Sequence, residues 1–326
     1  MKPLTKRALI IGIRGQDGSY LGQFLLEKGY EVHGTTRNVS AEKYCRLQHL
    51  AISERVQLHS INPQNYKDLI ELISTINPDE IYNLSAQSSV GQSFQEPIDT
   101  LNSITSVTLN VLEVLRELKS KSKLYNASSS EMFGDTAGQP ANECTPLRPH
   151  SPYGVAKAAA HWLVKSYRSG YGMFACSGIL FNHESPLRDE HFVTQKIVRG
   201  AVDILEGKSL TLSLGNSDII RDWGWAPEYV EGMWHILQHD RPTDFVLATG
   251  KPMSLKEFTA LTFKCLNLNW EDYVTYDATL FRPYDISVTV GDPQKALVDL
   301  GWRARTEPRD VVTLLVEAEL LRRKDL

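Results

Sequence analysis

The first apolar run, Ala8-Leu9-Ile10-Ile11, is short and unbroken, which predicts a buried parallel strand. Glycines follow at Gly12, Gly15 and Gly18, and then Leu21, Phe24 and Leu25 recur at helical spacing up to Gly29. This pattern predicts a tight turn, a helix stopped by Gly29, and a second strand over 30–36. Strand-like runs recur at 56–61, 79–85, 123–128 and 176–182, with helical spacing between them over 67–76 and 100–118. Ser151-Pro152 is a cap followed by a first-turn proline, so a further helix is expected from there. Strands alternating with helices predict an α/β fold, a doubly wound parallel sheet of Rossmann type.

The pattern loosens beyond residue 182. His183–Arg188 reads as a polar loop, 212–223 mixes strand and loop, and Phe281–Asp285 is another polar loop. Residues 1–182 are therefore expected to form mainly a dinucleotide-binding domain. Residues 183–326 are expected to form mainly a smaller mixed α/β substrate domain, with elements free to cross back.

Composition narrows the class. The 326 residues carry a net charge of −4 and no basic tract, which argues against nucleic acid. No apolar run approaches a membrane span, and strand one follows so closely on Met1 that a signal peptide is not expected. The four cysteines (Cys45, Cys144, Cys176, Cys265) lack metal spacing and suit reduced thiols in a cytoplasmic enzyme without metal.

The chemistry gathers at strand ends. The glycine turn opens a helix at the N-terminus of a βαβ unit, where a pyrophosphate can approach backbone N–H groups. Its spacing, G-x-x-G-x-x-G, carries weight only because of that context. The second strand ends at Arg37 with no acid before Glu42. Arg37 and Ser40 suit a 2′-phosphate, so NADP is preferred and NAD stays open. Tyr153 and Lys157 lie four apart on the expected helix and so share a face. An ammonium beside a phenol favours the phenolate, making Tyr153 a base for hydride chemistry on an alcohol. Ser129 suits a hydrogen bond to the same oxygen, and Glu131 adds a separate acid/base group. Arg188, Lys196, Arg221 and Arg282 together favour an anionic, diphosphate-bearing substrate. A lone Tyr-x-x-x-Lys is more often structural than catalytic, and its weight here comes from the dinucleotide turn.

Several strings make a more specific resemblance: Gly15-Gln-Asp-Gly-Ser19, Ser128-Ser-Ser-Glu131-Met-Phe-Gly, Ser151-Pro-Tyr-Gly-Val-Ala-Lys157, Asn182-His-Glu-Ser-Pro186 and Asn216-Ser-Asp-Ile-Ile-Arg221-Asp-Trp-Gly. In order and over nearly the whole chain, they resemble the extended short-chain dehydrogenase/reductases, and within them the GDP-mannose 4,6-dehydratases. The resemblance implies that Tyr153, with Lys157 and Ser129, removes the C4 hydroxyl proton while hydride passes to NADP. Glu131 then takes the C5 proton and helps expel the C6 hydroxyl as water. It places Gly12, Gly15, Gln16, Asp17, Gly18, Arg37, Asn62, Leu84, Tyr153 and Lys157 at the cofactor. It places Ser88, Asn182, Arg188, Lys196, Arg221, Arg282 and Asp285 at the substrate, in a homodimer or homotetramer. Departures from the family pattern are Asn62 for aspartate, Arg37-Asn38 for paired arginines, Asp285 for glutamate, Asp189 for glycine and Gln195 for arginine. The last three leave the sugar open between mannose and manno-heptose, while Arg37-Asn38 bears on NADP and on the tetramer and Asn62 on the adenine contact. An epimerase or 4-keto reductase would share the Tyr/Lys pair without needing Glu131. A non-catalytic NADP-binding protein would keep the turn and lose the pair.

Overall fold

The computed structural model describes residues 5–37 and 45–324. Ser40 and Asn38 lie outside the described residues. The strands in chain order are β1 (Arg7–Ile11), β2 (Glu31–Thr36), β3 (Gln57–Ser60), β4 (Glu80–Asn83), β5 (Lys123–Ser129) and β6 (Ala175–Leu180). They continue with β7 (Asn182–Glu184), β8 (Leu212–Leu214), β9 (Ile220–Trp225), β10 (Phe245–Leu247), β11 (Pro252–Ser254) and β12 (Val274–Tyr276). The main sheet runs β3-β2-β1-β4-β5-β6-β10 and is parallel throughout. Strand order reverses between β1 and β4, which opens a crevice at their carboxyl ends.

Apolar runs fill the sheet because both of its faces are covered. One face packs on helices Gln16–Glu27 and Ala226–Gln238, burying Leu21, Leu25, Val32, Met233 and Ile236. The other packs on Tyr66–Ile76 and Val107–Glu117, burying Leu9, Ile11, Leu69, Ile73, Val111 and Leu115. Each such side chain contributes about 1.5–3 kcal/mol of burial free energy. A third cluster, with Val198, Ala201, Trp223, Phe258 and Leu315, supports the smaller sheet β7-β9-β11.

Three expectations need correction. The strand expected over 176–182 is split: Ala175–Leu180 stays in the main sheet, and Asn182–Glu184 pairs with β9 instead. His183, Glu184 and Ser185 are buried rather than forming an open polar loop, because each polar group finds a partner inside. The helix expected from Thr100 begins at Pro97 and loosens into a π-turn over Asn102–Ser106 before resuming at Val107. Within that turn Thr105 Oγ1 donates to the Ala156 carbonyl at 3.2 Å, tying it to the helix that carries Tyr153.

Candidate functional site

The glycine turn is packed against itself. Gly12 has φ +93° and lies close under Ser85, and a Cβ on Gly18 would stand 2.4 Å from the Gly12 carbonyl oxygen. Only glycine lets the chain turn this tightly into the helix at Gln16. That helix has Gly15 as its N-cap with no side-chain cap, and its first intrahelical bond is Ser19 N–H to the Gly15 carbonyl. The preceding N–H groups are left for an anion.

From this turn a cavity of about 260 Å³ runs along the strand ends. Gly12, Gly15, Gln16, Asp17, Gly18 and Leu84 line it together with Ser129, Glu131, Tyr153 and Lys157, and so do Ser88, Asn182, Arg188, Arg221 and Arg282. The structure therefore brings together residues from several separate strand ends and the loops that follow them.

The helix that carries Tyr153 and Lys157 starts as the sequence implies. Ser151 Oγ accepts from Gly154 N–H at 3.0 Å, and Pro152 fills the first turn. This geometry buries Tyr153 and Lys157 and sets Tyr153 against the Ser129 hydroxyl. Lys157 Nζ donates to the Ala127 carbonyl at 2.7 Å and lies 5.7 Å from the Tyr153 ring. Desolvation works against the expected phenolate. Burial pushes the Tyr153 phenol up to about 12, outweighing the help of the Ser129 hydrogen bond. Burial also brings Lys157 down to about 8, opposed by the charge of Asp17. Desolvation penalises both charged forms, and the lysine is spent on a carbonyl rather than on the phenol.

Glu131 sits in the short helical turn Ser130–Met132 that directly follows β5, where its N–H donates to Ser129 Oγ at 3.3 Å. Burial raises its pKa above the usual carboxylate value, while Arg221 and Arg282 pull it back down. A buried carboxyl facing two cations suits proton transfer.

The cations are held by acids. Arg221 is 4% exposed and donates to the Ile286 carbonyl and to Asp285 Oδ1, both at 2.7 Å. Arg282 lies 3.5 Å from the same carboxylate oxygen. Asp285 thus stands behind the two arginines and does not line the cavity. The Arg188 guanidinium stacks 3.8 Å over Phe192, with Nε 3.5 Å from buried Glu184.

Other expected residues fall elsewhere. Arg37 is exposed and outside the cavity. Asn62 is also exposed, and its Oδ1 accepts from Gln64 N–H. Lys196 lines a second, open hollow with Glu190, Arg199 and Asp203. Asp189 pairs with His191 and Arg46, and buried Gln195 donates to the Ser185 carbonyl, so neither lines the cavity.

Sequence reasoning missed His183. Its Nε2 meets Asp17 Oδ2 at 3.0 Å, its Nδ1 meets the Phe181 carbonyl at 2.7 Å, and its ring stacks on Tyr229. Burial would raise Asp17, but His183 and the Gln16 amide outweigh it and hold the carboxyl at about 2. The specificity of the Asn182-His-Glu-Ser-Pro string was the available signal. Among the described residues no group of His, Cys, Asp or Glu is placed to hold a metal, and no helix is long and apolar enough to cross a membrane.

Comparison with known proteins agrees with this architecture. The UDP-glucose 4-epimerase of Thermus thermophilus, solved with NAD, superposes with a TM-score of 0.83 at 23% identity over 96% of this chain and 98% of its own, which establishes the fold. GDP-mannose 4,6 dehydratase 2 of Arabidopsis thaliana is 45% identical over 325 residues, covering 97% of this chain and 87% of the relative. The GDP-mannose 4,6-dehydratase of Yersinia enterocolitica is 41% identical over 353 residues, covering 98% and 95%. The family described as GDP-mannose 4,6 dehydratase matches residues 9–315, and the chain belongs to that family.

Proposed function

We propose that this protein converts GDP-mannose to GDP-4-keto-6-deoxy-mannose and water, using bound NADP. The observation that carries the reading is Glu131 on the cavity wall beside Ser129 and Tyr153, with Arg221 and Arg282 opposite. Oxidation of an alcohol needs the Tyr/Lys pair alone, whereas elimination of water needs a second acid/base group.

The glycine turn fits a dinucleotide. Its uncapped helix N-terminus faces the cavity, and a Cβ on Gly15 would meet only the Gly12 carbonyl, at 3.3 Å. Gly12, Gly15, Gln16, Asp17, Gly18 and Leu84 would hold the cofactor, with Asn62 toward the adenine and Arg37 offering its charge to a 2′-phosphate. When bound, the nicotinamide supplies a two-electron oxidation at C4 and returns the same electrons at C6.

The chain's own residues move the protons. Tyr153 takes the C4 hydroxyl proton as phenolate, a form that the Lys157 charge and the positive ring of a bound nicotinamide would favour against the cost of burial, while Ser129 hydrogen-bonds the same oxygen. The C4 ketone acidifies C5–H. Glu131 removes that proton and returns one to the C6 hydroxyl, which leaves as water; with the electrons returned at C6, C5 takes up a proton by way of solvent, and Tyr153 releases the one it took from O4. Arg188, Arg221 and Arg282 bind the diphosphate and ribose, with Asp285 aligning two of them and Lys196 reaching the nucleotide from the neighbouring hollow. Ser88 and Asn182 position the sugar.

The enzyme acts as a homo-oligomer in the cytoplasm. Val155 and Trp162 on the catalytic helix and Ile98 nearby are exposed, which supports a second copy packing there. Cys144, Cys176 and Cys265 are unpaired, in keeping with a reducing compartment.

The test is to incubate pure protein with GDP-mannose, without any cofactor recycling, and follow loss of water by mass spectrometry. Product from GDP-manno-heptose but none from GDP-mannose would overturn the substrate and leave the reaction standing.

A further inference from the structure

Arg46 lies outside the cavity, on the short helix Cys45–His49, yet its guanidinium joins two of the segments that line it. Nη1 donates to the carbonyl of Arg14, inside the glycine turn, at 3.1 Å. Nε donates to the carbonyl of Leu187 at 2.8 Å, and Nη2 lies 3.6 Å from Asp189 Oδ2. Leu187 and Asp189 are the residues on either side of Arg188. One planar cation therefore grips both flanks of a candidate diphosphate ligand and the backbone of the candidate cofactor turn. A guanidinium can span these three acceptors because its N–H groups diverge in a fixed plane, which an ammonium cannot match.

The neighbouring contacts bind the same two segments. Ser185 Oγ donates to Gln16 Oε1 at 2.8 Å, and Gln16 Nε2 donates to the His183 carbonyl at 3.2 Å. Gln195 fastens Ser185 from behind at 2.9 Å. Residues 183–189 thus lie across the start of the helix at Gln16, attached at several points, and a shift of the turn must be felt at Arg188.

We propose that Arg46 is a positioning residue that couples the cofactor turn to the Arg188 segment, so that an occupied cofactor site binds the nucleoside diphosphate more tightly. The proposal rests on the reading above, that the glycine turn holds the dinucleotide and Arg188 the diphosphate. If NADP steadies the turn, Arg46 transmits that order to Leu187 and Asp189, and Arg188 is presented in a single position. The same link obliges GDP to tighten NADP binding by an equal factor.

The experiment is calorimetric titration of GDP into NADP-free and NADP-saturated protein, for wild type, Arg46→Met and Arg46→Lys. Wild type is expected to bind GDP about fivefold or more tightly when NADP is present. Arg46→Met is expected to bring that ratio to near one while kcat, at saturating concentrations of both ligands, stays close to wild type. Arg46→Lys keeps the charge and stem but cannot span both carbonyls, so it should also lower the ratio, and it carries the test if the methionine variant folds poorly. A wild-type ratio of one, or an undiminished ratio in both variants, overturns the proposal while leaving the site reading intact. Failure of wild type to bind GDP at all would overturn the site reading and the proposal with it.

Discussion

Replacing Glu131 with glutamine changes one atom of the proposed elimination. The amide has the carboxylate's shape, and the main-chain bond from residue 131 to Ser129 Oγ at 3.3 Å does not depend on the side chain. Folding and cofactor binding should therefore survive. The variant loses the group on the cavity wall proposed to take the C5 proton, and with it the charge that Arg221 and Arg282 face. A positioned acid/base group is worth about 10²–10⁴-fold in rate, which is about 3–5 kcal/mol on the barrier. Two measurements separate the steps. Water loss from GDP-mannose, followed by mass spectrometry, should fall by that factor, and solvent deuterium should no longer enter at C5. Oxidation at C4 needs only Tyr153, Lys157 and Ser129, so reduced nicotinamide should accumulate on the variant and be visible by its absorbance. Water loss within about tenfold of wild type would refute the role of Glu131, since the expected loss is larger.

Other outcomes follow from burial and sterics. Lys157, held at about 8 by burial, loses its charge as pH rises past that value, so kcat should fall there. Lys157→Arg should shift the fall upward, and a kcat flat through pH 8 would rule out a charged Lys157 in the mechanism. Stability should move the other way: between about 8 and the ordinary value of 10.5 the unfolded chain binds the extra proton, so stability to denaturant rises with pH, and Lys157→Met should remove that slope. Gly18→Ala would drive a Cβ to 2.4 Å from the Gly12 carbonyl and 2.7 Å from Ile13 Cα, both backbone atoms that cannot yield. NADP affinity measured by fluorescence should drop, by about tenfold or more, and an unchanged Kd would contradict the tight turn. Asp285→Ala leaves Arg221 buried without its carboxylate. Loss of one partner of a buried pair costs about 3 kcal/mol or more, so Tm should fall and KM for the GDP-sugar should rise. Unaltered KM would show that Asp285 does not align the arginines.

What the sequence made legible was local. The glycine turn, the Ser151-Pro152 cap and the run from β5 into Ser129 and Glu131 each depend on neighbours within a few residues, so spacing and side-chain chemistry reveal them. What it concealed depended on distant partners. His183 and Glu184 look like loop residues because polar side chains usually face water. They are buried because Asp17 and Thr194 satisfy them from other elements, with the Phe181 carbonyl close by in the chain. The environment of Tyr153 is hidden for a similar reason: spacing reveals the neighbouring lysine but not the desolvation that opposes a phenolate. Arg46 carries no motif, and its partners, Arg14 on one side and Leu187 and Asp189 on the other, lie far from it in the chain.

The seventh strand of the main sheet, Phe245–Leu247, arrives sixty-odd residues after the sixth, in the same stretch that sends Ala226–Gln238 back to cover Leu21 and Leu25. During synthesis, the first 182 residues would emerge with β6 as a bare edge and one face of the sheet uncovered. Such an intermediate presents unpaired backbone and apolar surface, the conditions for misassociation. The two halves of the site are thus tied together in time as well as in space. The main sheet cannot finish folding until residues 226–247 have left the ribosome, and a fragment ending at residue 182 should aggregate rather than fold.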